Sequence, residues 1–245
     1  MTLIDKLVKW LQNQVTDAGA KGCVFGLSGG VDSSVVGALC KKAFPGNVLA
    51  VVMPCFSNEQ DLLQARAVAE RFLIPTRLID LRFVYNQLLV QLEGKPDEED
   101  QTNLAVANLK PRLRMVTLYY HANKANYLVV GTGNKSEAVM GYCTKYGDAG
   151  VDIQPLGNLL KTQVRELAVE LGVPDAIITK APSAGLWPGQ TDEAELGLTY
   201  AELDKIIIGL ENNDLSGLNL NLVEKVRQKQ QTTQHKRTCP NVFAP

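Results

Sequence analysis

The chain has 245 residues, with 25 Lys and Arg against 26 Asp and Glu, for a formal net charge of -1. No global basic field is available, so nucleic acid is not an expected partner. Its 45% hydrophobic and 21% charged content is that of a globular protein with a sizeable core.

No apolar run approaches membrane-spanning length, so no membrane association is expected. The five cysteines, Cys23, Cys40, Cys55, Cys143 and Cys239, are scattered and form no C-x-x-C pair. That argues against a disulfide framework or a zinc site and for a reducing, cytoplasmic setting.

Leu3, Ile4, Leu7, Val8, Leu11 and Val15 recur at helical spacing. This amphipathic helix either caps the core or makes a dimer contact. A strand is expected over 22–27 and a helix over 33–44. The continuous apolar run over 48–53 reads as a strand buried on both faces. A helix over 58–72, a strand over 76–79 and a helix over 82–92 follow. Such alternation predicts an α/β fold, a doubly wound and mainly parallel sheet with helices on both faces and right-handed crossovers.

An acidic polar loop is expected over 94–100. A helix over 104–123 is entered or interrupted at Pro111, and a fourth buried strand spans 127–131. The Pro- and Gly-bearing stretch 180–195 reads as a long loop of the kind that forms lids. Thr199 and Glu202 make a capping box that opens a further helix, and the tail after Thr232 is basic. Length and pattern together suit one domain over 1–245.

The chemistry begins at Gly26-Leu27-Ser28-Gly29-Gly30-Val31-Asp32-Ser33-Ser34. A strand, a glycine-rich turn and a helix in that order bring backbone N–H groups and a helix N-terminus to a phosphate. It is not a Walker A loop, because Asp32 stands where that motif needs Lys, and the dinucleotide Gly-x-Gly-x-x-Gly spacing fails. Asp32 beside phosphate implies an intervening metal ion.

The fourth strand runs into Gly131-Thr132-Gly133-Asn134-Lys135-Ser136-Glu137. Both loops follow carboxyl ends of parallel strands, where ligands bind. Glu137 either pairs with Asp32 in a magnesium site or merely favours its helix N-terminus.

The loop over 26–34 resembles the SGGxDS pyrophosphate loop of the ATP pyrophosphatase superfamily, with its adenine nucleotide alpha hydrolase-like fold. Six further segments follow in order: Arg112-Leu113-Arg114-Met115; GTGNKSE over 131–137; TKYGDAGVD over 144–152; Lys161; Ala181-Pro182-Ser183-Ala184; and Gln190-Thr191-Asp192-Glu193. His235-Lys236-Arg237 ends the series. Together they closely resemble ammonia-dependent NAD synthetase over nearly the whole chain.

That resemblance implies a ligase that amidates deamido-NAD to NAD with ammonia, through an acyl adenylate, releasing AMP and pyrophosphate. It assigns ATP binding to Gly26, Leu27, Ser28, Gly29, Gly30, Val31, Asp32, Ser33, Thr132, Lys161 and Ser183. It assigns deamido-NAD binding to Arg112, Lys145, Asp152, His235 and Lys236, and magnesium to Asp32 and Glu137. Asp32 and Lys161 are its expected catalytic residues. Ser183 stands where the family often has Thr, which keeps the hydroxyl.

The family further implies a homodimer with the dinucleotide near the subunit interface. Leu104, Val106, Leu109, Leu113, Val116 and Leu118 give the 104–123 helix an apolar face for it. At 245 residues there is no room for an added amidase domain, so free ammonia is the expected donor. Other members of the superfamily fit less well. A tRNA-thiolating enzyme should show basic patches and paired cysteines, GMP synthetase lacks the TKYGDAGVD and HKR segments, and a non-catalytic ATP sensor needs no second-substrate set.

Overall fold

The structure is a computed structural model that describes residues 1–94, 103–187 and 189–243. The acidic run 95–100 lies outside the described residues. Four strands, β1 (Gly22–Gly26), β2 (Val48–Val52), β3 (Thr76–Leu78) and β4 (Tyr127–Val129), form one sheet in the order β3-β2-β1-β4. Every pairing is parallel, with Cys23 opposite Val48, Gly22 opposite Tyr127 and Ala50 opposite Thr76. β3 is an edge strand whose three residues are exposed.

Alternate residues of the central strands feed two cores, as the period of a strand requires. Cys23, Phe25, Ala50 and Val52 face one side. There they meet α2 (Val31–Ala43), α8 (Lys161–Leu171), and Leu11 of α1 (Leu3–Asp17). Val24, Val51 and Val129 face the other side. They meet α4 (Arg82–Glu93) and α6 (Leu109–Ala125) through Tyr85, Leu89, Leu118 and Ala122. Helices on both faces of a parallel sheet are the expected architecture. α1 is capped by a Thr2–Asp5 box and buries Leu11 and Val15, so its apolar stripe covers the core.

A third apolar cluster joins α7 (Lys135–Met140), α11 (Tyr200–Asn212) and α12 (Leu220–Thr232). α11 opens on the expected Thr199–Glu202 capping box.

Two expectations change. The 104–123 helix is divided at Asn108 into α5 (Leu104–Ala107) and α6. Pro111 is not the break. It sits in the first turn of α6, where a missing N–H costs no helical bond. The 180–195 loop contains the short helix α10 (Asp192–Leu196).

The apolar residues named for a dimer face are also largely spent internally. Leu118 is buried, and Val106, Leu109 and Leu113 pack on the second core. Leu104 and Val116 remain exposed.

Candidate active site

β4 lies on the opposite side of β1 from β2. The crevice between the carboxyl ends of β1 and β4 is therefore the point where the winding reverses, the preferred ligand position in open α/β sheets.

The loop after β1 closes that crevice from one side. Gly29 has φ +83°, and a Cβ there would lie 2.3 Å from the Asp61 carbonyl on α3 (Glu59–Arg71). Only glycine meets both demands. The serines knit the turn together. Ser33 Oγ donates to the Gly30 carbonyl at 3.0 Å and accepts from the Ser28 N–H at 3.3 Å. Ser28 Oγ accepts from the Gly30 N–H at 3.2 Å, and Ser34 Oγ donates to the Gly30 carbonyl at 2.8 Å. Gly30 is the N-cap of α2 and supplies no side-chain cap. The positive end of a buried helix is thus left for an anion.

The loop after β4 supplies the facing side. Asn134, wholly buried, caps α7, and Glu137 completes the capping box. Asn134 Nδ2 also donates to Asp32 Oδ1 at 2.9 Å, which ties the two loops together. Lys161, first residue of α8 and 2% exposed, reaches between the carboxylates. Its Nζ is 2.5 Å from Asp32 Oδ2 and 3.1 Å from Glu137 Oε1. Burial pushes the Glu137 carboxyl up to about 7, more than Lys161 beside it pulls it down. Burial also works against the Lys161 ammonium, but Asp32 and Glu137 outweigh it and hold the ammonium above its usual range.

A buried relay sets the angle between these residues. Asp204 on α11, 2% exposed, accepts from Ser136 Oγ at 2.5 Å and from the Thr162 N–H at 2.9 Å. Ser136 Oγ in turn accepts from the Lys161 N–H at 3.0 Å. Asp204 therefore caps α8 and fixes Ser136, the neighbour of Glu137, with one carboxylate. Asp204→Ala is expected to cost roughly 3 kcal/mol, since charged buried bonds are lost on two helices. A fall of about 6–12 °C in the unfolding midpoint follows for a chain of this size. An unchanged midpoint in thermal unfolding would remove the relay from the fold's support.

The crevice opens into a cavity of about 470 Å³. Gly26, Leu27, Ser28, Gly30, Val31, Asp32, Ser33, Thr132, Glu137, Lys161, Ser183 and Lys236 line it. The stretch over 180–187 and 190 roofs it. Two lysines hold that roof down. Lys180 Nζ pairs with Asp61 and donates to Gln64 Oε1 at 2.8 Å, and Lys110 Nζ donates to the Leu186 carbonyl at 2.6 Å.

Comparison with known proteins gives this arrangement its kin. The NAD synthase family model matches residues 3–240. The chain belongs to the NAD synthase family.

Among relatives, the NH(3)-dependent NAD(+) synthetase of Carboxydothermus hydrogenoformans is 49% identical over 97% of this chain and 95% of that protein. Among solved structures, the NMN synthetase from Francisella tularensis superposes with a TM-score of 0.90 at 36% identity, over 98% of this chain and 97% of that one. The NH3-dependent NAD synthetase from Campylobacter jejuni, in complex with the nitrate ion, does so at 0.83 and 29%, over 99% and 98%.

The residues singled out in the sequence fall into two groups. Those expected at ATP converge on the cavity, except that Gly29 faces α3 rather than the cavity. Of those expected at the dinucleotide, only Lys236 lines it. Lys236 Nζ donates to the Gly141 and Cys143 carbonyls at 2.7 and 2.8 Å. Arg112, Lys145 and His235 join in a chain beside it. Arg112 donates to the Lys145 carbonyl at 3.5 Å, and Lys145 Nζ to the His235 carbonyl at 2.6 Å. Asp152 lies apart from that chain, accepting from the Tyr119 hydroxyl at 2.9 Å and the Val129 N–H at 2.7 Å.

Sequence reasoning missed Asn134, Ser136 and Asp204 as supports, and Tyr200, whose ring lies 5.0 Å from Lys161 Nζ. Asn134 and Ser136 stood inside the GTGNKSE segment, where their spacing before a helix was the available signal. Asp204 carried none, because it reaches the site from a helix distant in sequence.

The donors around Asp32 suit magnesium. Two carboxylates with one lysine leave a net negative charge. Magnesium commonly takes one or two carboxylates, with water and substrate phosphates completing the shell.

Proposed function

We propose that this chain amidates deamido-NAD to NAD with ammonia at the expense of ATP, as a carbon–nitrogen bond-forming ligase. The observation that carries the reading is the Asp32–Lys161–Glu137 cluster, set against a glycine-rich turn at the N-terminus of α2. In the proposed reaction the nicotinate carboxylate attacks the α-phosphate of ATP, giving an acyl adenylate and pyrophosphate. Ammonia then attacks the activated carbonyl, and AMP leaves with the C–O electron pair.

The residues' tasks are charge and position. N–H groups of the 28–33 turn would grip the leaving pyrophosphate, and Lys161 would neutralise part of its charge. Asp32 and Glu137 would hold magnesium, which when bound offsets negative charge on the phosphates. The roof over 180–187 would keep water from the adenylate. Arg112, Lys145, Asp152, His235 and Lys236 would hold the dinucleotide, with cations available for its pyrophosphate and carboxylate. We further infer one catalytic domain over 1–245, a cytoplasmic enzyme and a homodimer with the dinucleotide near its interface. Leu104 and Val116, exposed on α5 and α6, suit that contact.

The test supplies deamido-NAD, ATP, magnesium and ammonium and measures NAD, AMP and pyrophosphate. ADP and phosphate as products, or turnover that ignores deamido-NAD, would overturn the proposal. The likeness to an NMN synthetase favours one competing acceptor, nicotinic acid mononucleotide. A kcat/KM higher for the mononucleotide than for deamido-NAD would reassign the substrate while leaving the chemistry intact.

A further inference from the structure

Lys110 is the second residue of α6 and is 1% exposed. Both facts weigh against a lysine. A cation in a first helical turn opposes the helix dipole, and a buried ammonium loses its hydration. Lysine is almost never fully buried unless its charge is matched.

Three groups from separate segments meet this ammonium. Its Nζ donates to the Leu186 carbonyl of the roof at 2.6 Å. It lies 5.7 Å from the centre of the Phe56 ring and 5.6 Å from that of Tyr85 on α4. The two rings meet edge to face, with centres 5.8 Å apart. Tyr85 is wholly buried. Phe56 holds φ +57°, the left-handed region that a bulky residue enters only at a cost. Strain of that kind gathers at ligand clamps, where the surrounding structure over-determines it.

Leu186 lines the cavity, whereas Phe56, Tyr85 and Lys110 stand behind its wall. The Leu186 N–H donates to Gln190 Oε1 at 2.7 Å, so both backbone polar groups of that roof residue are held. Lys180 holds the same roof nearer its start, but the Lys180 and Asp61 side chains are 31% and 25% exposed. Water weakens such a pair. The Lys110 contact is shielded, and there a charged hydrogen bond is stronger.

We propose that Lys110 is a positioning residue: seated between Phe56 and Tyr85, it fixes the roof at Leu186 and so commits the acyl adenylate to ammonia rather than to water. The proposal rests on the ammonia-dependent reading above. The failure it prevents has a defined chemistry. Water adds to the acyl carbon, the bond from that carbon to the AMP oxygen breaks, and AMP leaves with the electron pair. The protons of the water pass to solvent and deamido-NAD is recovered. ATP is then consumed without NAD.

The test is Lys110→Met in the full chain. Met keeps the length and the apolar stem, so the packing changes little. AMP and NAD are measured in one reaction with deamido-NAD, ATP, magnesium and limiting ammonium chloride. Pyrophosphate–ATP exchange without ammonium reports adenylation, and thermal unfolding reports the fold. Wild type is expected to form AMP and NAD in equal amounts. A charged hydrogen bond is worth about tenfold or more in an equilibrium, so the open roof gains by that factor in the variant. AMP is expected to exceed NAD by about threefold or more, with exchange within about twofold of wild type. A merely structural lysine would lower stability or turnover and leave the ratio of AMP to NAD at its wild-type value.

An unchanged ratio, or exchange that is lost with the fold intact, would overturn the proposal. Should Lys110→Met not fold, Phe56→Gly carries the test. Phe56 is 43% exposed, and glycine accepts its φ without strain, so that change removes the ring alone. An excess of AMP over NAD of about twofold or more is expected there, and equal amounts would overturn the proposal. Wild-type enzyme that forms neither AMP nor NAD would overturn the underlying reaction, and the proposal with it.

Discussion

Replacing Lys161 with Met is expected to leave a folded protein whose turnover falls on the order of 10³-fold, the effect of removing one preorganised charge from where negative charge develops. The motive is geometric. Lys161 is 2% exposed, and its ammonium bridges Asp32 and Glu137 at 2.5 and 3.1 Å. Without it, two carboxylates face one another in a poorly solvated crevice. They remain tolerable because such a pair can share a proton, the usual outcome for like charges in contact.

Met keeps the length and apolar stem, so packing changes little. The measurement is AMP and pyrophosphate formation at saturating deamido-NAD, beside a thermal unfolding curve. Activity within tenfold of wild type would reduce Lys161 to a structural counter-charge.

Gly29→Ala is the second large effect, and it acts through the backbone. Gly29 has φ +83°, and the new methyl would fall 2.3 Å from the Asp61 carbonyl and 3.1 Å from the Ala65 nitrogen. Neither neighbour can swing aside, because both belong to the backbone of α3. The left-handed conformation alone costs about 1–2 kcal/mol. The cheaper escape is for the turn to shift, and that moves the N–H groups of 28–33 away from the phosphates.

Displacements near 1 Å at a reacting site cost about 10²-fold. KM for ATP is therefore expected to rise, or kcat/KM to fall, by about that factor. Steady-state kinetics against ATP will check this. A variant with wild-type ATP dependence would show that the turn tolerates the shift and that its geometry is not critical to phosphate binding.

These two positions differ in how far the sequence announced them. Gly29 was plain, because a Gly-Gly pair between an apolar run and a helix has few other uses. Lys161 was not, since a lysine opening a helix is ordinarily a solvated surface residue. Its burial depends on α8 packing behind α2, and on Asp204 reaching from α11 to hold the α8 N-terminus. Local pattern cannot foresee either.

The same contrast runs through the fold. The order of strands and helices was legible from apolar runs and glycine turns, since periodicity and turn chemistry are local properties. Of the two readings of Pro111, entry into a helix holds and interruption does not, because proline disrupts a helix interior but not its first turn; the division itself falls at Asn108. The apolar stripe over 104–118 looked free for a partner, yet most of it was claimed by the core beneath α6.

Residue pattern alone therefore carried the architecture, the glycine-rich turn at the start of α2 and the family. Each depends on neighbours in the chain, whose spacing survives in the primary structure. Tertiary structure alone decided that Asp32, Glu137 and Lys161 share one crevice, that Asn134 ties its two loops and that Asp204 braces it. The reason is that β4 enters the sheet beside β1, which brings residues more than a hundred positions apart into contact. The energies that matter there come from burial and from charge in low dielectric, and the sequence does not state who is buried beside whom.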